Sequence, residues 1–144
     1  MNNIENAGEE LKRADHLIFV SLKYTRTCDI LMNTIKRLIE SFDFAILAIL
    51  ESLREKRKIF IIPENAIKRA ELLVETEKKY KNHIKLYFLL RKIEVSEYDA
   101  REEYRKHVTM VVHLDKGELD IDVPKIEEYF ESTKDFVSLV GGEL

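Results

Sequence analysis

The feature that most limits what this chain can fold into is the stretch from Thr27 to Lys58, which contains neither glycine nor proline. Apolar residues recur along it at Leu31, Ile35, Leu38, Phe42, Ala45, Ile49 and Leu53, in steps of three and four that lay one stripe down an α-helix. At about 1.5 Å per residue such a helix is a rod about 45 to 50 Å long, fit to be the spine of a small domain. Its middle, Phe42 to Leu50, is apolar nearly all round, with Phe44, Leu47 and Ala48 roughly opposite the main stripe. A helix apolar on two faces must be covered on two faces, and the sequence leaves two covers open: the rest of one bundle, or a second copy.

Breakers are scarce everywhere. The 144 residues include four Gly and two Pro, so a mainly helical chain is expected, and one domain spanning residues 1–144. At this length a folded chain buries about 68 to 70% of its unfolded surface, enough to need no metal or disulfide staple. A first helix reads from Asn3 to about Leu22 through Ile4, Ala7, Leu11, Ala14, Ile18 and Leu22, capped by Asn2 or Asn3, with Glu5, Glu9 and Glu10 near its positive end. Thr25 or Thr27 caps the long second helix. Pro63 suits the first position of a third helix to about Tyr80, with Ile67, Ala70 and Val74 inside. Asn82 caps a fourth, Ile84 to Ile93, and Ser96 opens a fifth to about Lys106, with Asp99 three residues on as in a capping box.

After His107 the period changes from helix to strand. Val108, Met110, Val112 and Leu114, then Leu119, Ile121 and Val123, alternate with their neighbours around a three-residue turn, Asp115 to Gly117, with Gly117 left-handed. Asp122 and Pro124 start a last helix with Gly141 as its C-cap. The expected fold is therefore mainly α: an antiparallel bundle of five to six helices with one β-hairpin near residues 108–123.

A net charge of −3 argues against a surface that is basic overall, and so against sequence-blind binding of nucleic acid across the whole molecule. Local patches remain: Arg54, Lys56, Arg57 and Lys58 at the end of the long helix, and Lys78, Lys79, Lys81 and Lys85 around Tyr80. The lone Cys28 cannot form an internal disulfide and reads as a small buried core residue. With no charged-then-apolar leader and no apolar run near the ~20 residues of a membrane span, a cytoplasmic location and no membrane partner are expected. His113, Asp115, Asp120 and Asp122 gather around the hairpin, where an imidazole and carboxylates can take a divalent ion. Their alternation reads equally as a solvated strand face, and no metal or cofactor is assigned. His16 and His83 read as surface or capping residues. No P-loop, dinucleotide fingerprint, paired CxxC or nucleophile elbow is present.

One segment carries a resemblance. Arg101, Glu102, Glu103, Tyr104, Arg105, Lys106, His107 places an Arg, five residues and a His near the end of a late helix in a long-helix bundle. This layout resembles the HEPN superfamily of small helical domains, although that family favours Asn, Asp or His directly after the Arg, where this chain has Glu102. The resemblance implies a homodimer with a composite site where two protomers meet. It further implies either a metal-independent ribonuclease or the partner of a minimal nucleotidyltransferase in a toxin–antitoxin pair. Metal-free RNA cleavage needs a base for the 2′-hydroxyl and a cation for the charge on phosphorus, roles that fit His107 and Arg101, with Tyr104 and Arg105 holding phosphate or nucleotide. On one ideal helix Arg101 and His107 stand about 120° apart, so two protomers would have to complete the site.

The same residues have a plainer reading. Arg101 and Arg105 suit a helix C-terminus with Glu97, Glu102 and Glu103 as surface partners, and His107 suits a donor to a free carbonyl. The expectation is thus a HEPN-like dimer that binds a partner protein or a nucleotide or RNA ligand. A composite Arg/His endoribonuclease and a non-catalytic helical interaction module are the alternatives.

Overall fold

The computed structural model describes all residues 1–144. Helix α3, Cys28–Glu55, is the expected spine, 28 residues long. Thr27 is its N-cap, the hydroxyl accepting the Ile30 N–H at 3.4 Å. The helix stops short of Lys58 and does so without glycine. Arg57 takes φ +62°, and the Lys58 N–H returns to the Leu53 carbonyl at 2.9 Å, which satisfies an end carbonyl of the helix.

Helix α1, Asn3–His16, capped by Asn2, lies along α3 and runs on through a π-helical turn, Leu17–Ser21, into the single turn α2, Leu22–Tyr24. The other sides of α3 are taken by α4, Ala66–Thr76, α5, Lys81–Val95, and α6, Val123–Glu143. On the second face of the apolar segment, Ala48 is buried and Phe44 and Leu47 are half-buried within one chain. At the centre the Phe42 ring stacks on Phe136 of α6 at 5.0 Å and meets Tyr87 of α5 at 5.5 Å. Cys28 is 1% exposed, a small buried core residue as expected.

Several boundaries differ for local reasons. Pro63 is not the first residue of a helix: Asn65 caps α4 by accepting the Lys68 N–H at 3.0 Å, leaving residues 59–65 irregular. Helix α4 ends at Thr76, and a 3₁₀ turn, Lys78–Tyr80, leads directly into α5, so Asn82 lies inside that helix and not at its cap. Asp122 caps α6 as expected, accepting the Lys125 N–H at 2.9 Å, but the helix runs past Gly141 to Glu143. His83 is half-buried. Its Nε2 meets Asp135 at 2.8 Å and its ring leans on Phe136.

The largest correction falls on residues 96–106, where no helix forms. Ser96 ends α5, its hydroxyl donating to the Lys92 carbonyl at 2.6 Å. Tyr98–Arg101 is strand β1, and residues 102–107 are a turn with Glu102 and Tyr104 at φ +59° and +67°. The sheet therefore has three antiparallel strands in the order β1-β2-β3, with β2 Thr109–Leu114 and β3 Gly117–Ile121, in place of a two-stranded hairpin. The physical reason is that a two-stranded hairpin is marginal in water, and pairing β1 with the open side of β2 adds the third strand that stabilises it. Met110, Val112 and Ile121 face the helices and are fully buried. Leu114 pairs with Gly117, so only Asp115 and Lys116 form the tip, and Gly117 at φ +133° occupies a region open to glycine and outside the left-handed helical well.

Candidate functional site

Since residues 96–106 are not helical, the positions singled out in that segment take two different places. Arg101 ends β1 on the outer face of the sheet, and its guanidinium meets Asp120 of β3 at 3.0 Å. Asp120 stands opposite Val111, which is only 7% exposed although it points away from the helical core. His107 ends the turn, beside the buried Val108. Its side chain is exposed, and its carbonyl accepts the Thr109 hydroxyl at 2.9 Å. The Arg101 guanidinium is thus engaged with Asp120, and no hydrogen bond or ion pair joins it to His107.

Tyr104, Arg105 and His107 instead belong to a corner that the sequence did not announce. The Tyr104 N–H donates to the Arg26 carbonyl at 2.7 Å, and an Arg26 guanidinium N–H donates to the Lys106 carbonyl at 3.2 Å. The link between α2 and α3 is thereby tied to the turn between β1 and β2. Glu103 is drawn inward, its carboxylate accepting the Cys28 N–H at 3.3 Å in the first turn of α3, where a negative charge suits the helix dipole. Burial, with this carboxylate close by, pushes the Cys28 thiol up to about 11, so it is no nucleophile at neutral pH; it donates to the Thr109 carbonyl at 3.4 Å.

The two tied loops carry Lys23, Arg26, Arg105, Lys106 and His107 and two aromatic residues that face water, Tyr24 at 85% exposure and Tyr104 at 76%. Arg105 keeps only a loose partner, Glu102 at 3.9 Å. Tyr104 also holds a positive φ, uncommon for an aromatic residue and here secured by its N–H bond to Arg26. Tyr24 and Arg26 went unnoticed in the sequence because they lie about eighty residues from Tyr104, and no local pattern joins the two loops.

The remaining constellations resolve into structure. His113 Nε2 meets Asp99 at 2.8 Å and its Nδ1 stands 3.8 Å from Glu118, Asp120 holds Arg101, and Asp122 caps α6. No group of three His, Cys, Asp or Glu side chains is placed to hold a metal ion. The two basic patches meet at one end of the bundle. Lys56 donates to the Glu143 carbonyl at 3.3 Å, Lys79 pairs with the Glu143 carboxylate at 2.8 Å, and Lys58 pairs with Glu77 at 3.5 Å. No helix is long and apolar enough to cross a membrane.

Two charged clusters were also missed. Glu10, 5% exposed, is held by Arg13 and, at 3.2 Å, by Arg37 across the α1–α3 contact. Burial, then the nearby Glu10, raises the Glu40 carboxyl above its usual range. Tyr87 donates its hydroxyl proton to Asp43, and Arg91 donates to the Tyr87 oxygen at 3.1 Å, joining α3 to α5. Burial raises both the Asp43 carboxyl and the Tyr87 phenol. No protein-family model, curated protein or solved structure matches this chain significantly.

Proposed function

We propose that the protein binds single-stranded RNA or a nucleotide at the corner formed by residues 23–26 and 104–107. The observation that carries this reading is the pair of solvent-facing tyrosines, Tyr24 and Tyr104, on loops bonded to one another that also carry Lys23, Arg26, Arg105 and Lys106. Aromatic rings accept bases by stacking and cations take the phosphates between them, a combination tolerant of sequence. The withdrawal of Glu103 favours an anionic ligand by removing a like charge from its path. Cleavage would ask more of the site: Arg101 would have to leave Asp120, and binding needs no such release.

Fluorescence anisotropy with a labelled single-stranded RNA of about a dozen nucleotides tests this, at about 50 and 200 mM salt. Tyr104→Ala and Tyr24→Ala should each weaken binding about 5- to 150-fold, the worth of one stacked base. Arg105→Ala should flatten the salt dependence by about 0.7 in the logarithmic slope, as loss of one phosphate contact does on a single strand. Wild-type affinity in all three variants, or no binding at the lower salt, overturns the reading.

A further inference from the structure

Strand β1 is an edge whose open side can be read residue by residue. Glu97 stands opposite His113 in the register that continues Tyr98↔Val112, and the His113 N–H donates to the Glu97 carbonyl at 2.9 Å. In an antiparallel ladder the bonded positions alternate, so Glu97, Asp99 and Arg101 turn their backbone groups toward β2, and Tyr98 and Ala100 turn theirs outward. Ala100, Asp99 and Arg101 are all exposed, and the short Ala100 side chain leaves the edge unobstructed. No strand pairs with this edge: the sheet order is β1-β2-β3, with β1 outermost.

We propose that the occupant of this edge is a second copy of the same strand, paired antiparallel about a two-fold axis at Ala100. The axis makes Ala100 a bonded pair with itself, its N–H donating to the carbonyl of the partner's Ala100 and the reverse. Asp99 then falls directly opposite the partner's Arg101, and Arg101 opposite the partner's Asp99, at the closer, non-bonded positions where side chains meet. The charges are complementary in this register, while a shift of one residue places Arg101 opposite the partner's Ala100 and loses both pairs. Each new pair extends an existing one, since Asp99 already meets His113 and Arg101 already meets Asp120. Four residues a side bury less than the roughly 1,200 Å² of a stable specific interface, so the dimer is weak and depends on concentration. This interface does not rest on RNA binding, and its test uses no ligand.

Sedimentation equilibrium of the whole protein from about 10 µM to about 1 mM, the range of weak association, reads the mass directly. The expected result is a rise from 17.0 kDa toward twice that value. Ala100→Pro removes the outward donor without breaking a bond to β2, a substitution edge strands accept, and should weaken the dimer at least tenfold. Asp99→Arg and Arg101→Asp should each weaken self-association by facing like charges. Mixed together, they should recover a heterodimer, because a strand with arginine at both positions then meets a strand with aspartate at both, and every facing pair is of opposite charge. A monomer at every concentration overturns the proposal, as does a dimer indifferent to these variants. Should Ala100→Pro unfold, the mixing experiment decides alone: no recovery on mixing rejects the pairing.

Discussion

Helix α3 and the segment 96–107 are both rich in helix-compatible residues, yet one is a 28-residue helix and the other a strand and a turn. In α3 the apolar residues from Leu31 to Leu53 keep helical spacing over about six turns, and neighbouring helices bury most of them. Segment 96–107 has no apolar stripe to bury. Of its residues, Tyr98 and Ala100 are the nearest to an inner face, and the rest are mostly charged and exposed. Where packing rewards no helix, weak preferences are overruled by particular bonds: the open edge of β2, the Arg26 carbonyl and the first turn of α3.

This contrast predicts stability losses in α3 and losses of binding with little change in stability in the turn. The largest effect is expected at Phe42, fully buried and stacked on Phe136: Phe42→Ala should cost about 3 to 5 kcal/mol in urea unfolding. A cost below about 1 kcal/mol there would mean that α3 is not the packed centre. Next comes Tyr87→Phe, which strips Asp43 and Arg91 of a shared partner and should cost about 1 to 3 kcal/mol. Glu103→Ala should cost about 0.5 to 1 kcal/mol, through loss of the carboxylate at the α3 N-terminus. If that loss also loosens the turn, amide exchange at Tyr104, whose N–H bonds Arg26, should quicken in the variant. The smallest effect is expected at the exposed pair of Arg101 and Asp120, where Arg101→Ala should move stability by less than about 1 kcal/mol.

A pH measurement sharpens the same comparison. The Asp43 carboxyl is raised in the folded state, chiefly by burial, so the folded chain holds that proton more tightly than the unfolded one. The sign follows: stability attributable to Asp43 falls as pH rises from the ordinary carboxylate range through the raised folded value, and acidification across that window restores it. Asp43→Asn removes this contribution, so the difference in stability between wild type and variant should change with pH across that window. A difference independent of pH would show that Asp43 titrates normally.

The helices were legible to the extent that their own side chains specify them. The α1 and α3 stripes, the caps at Asn2, Thr27 and Asp122 and the pairing of β2 with β3 can all be read from spacing within a few residues. Ser96 misled because a serine with an acid three residues on serves a helix start, whereas here its hydroxyl closes the end of α5. Pro63 misled in the same way, since Asn65 offered a better cap two residues later. Of the candidate site, Tyr104, Arg105 and His107 were visible as residue types, but their company was not. Tyr24 and Arg26 joined them only through bonds between distant loops.

The sequence by itself determined a mainly helical chain with a long central helix, because periodic burial of apolar groups is a local property that repeats along the chain. The tertiary structure alone decided that residues 98–101 become a third strand, that Glu103 turns inward to the start of α3, and that Tyr24 and Tyr104 share a corner. Each of those outcomes depends on a hydrogen-bonding group left open elsewhere in the fold, and such groups must find partners wherever the chain brings them near.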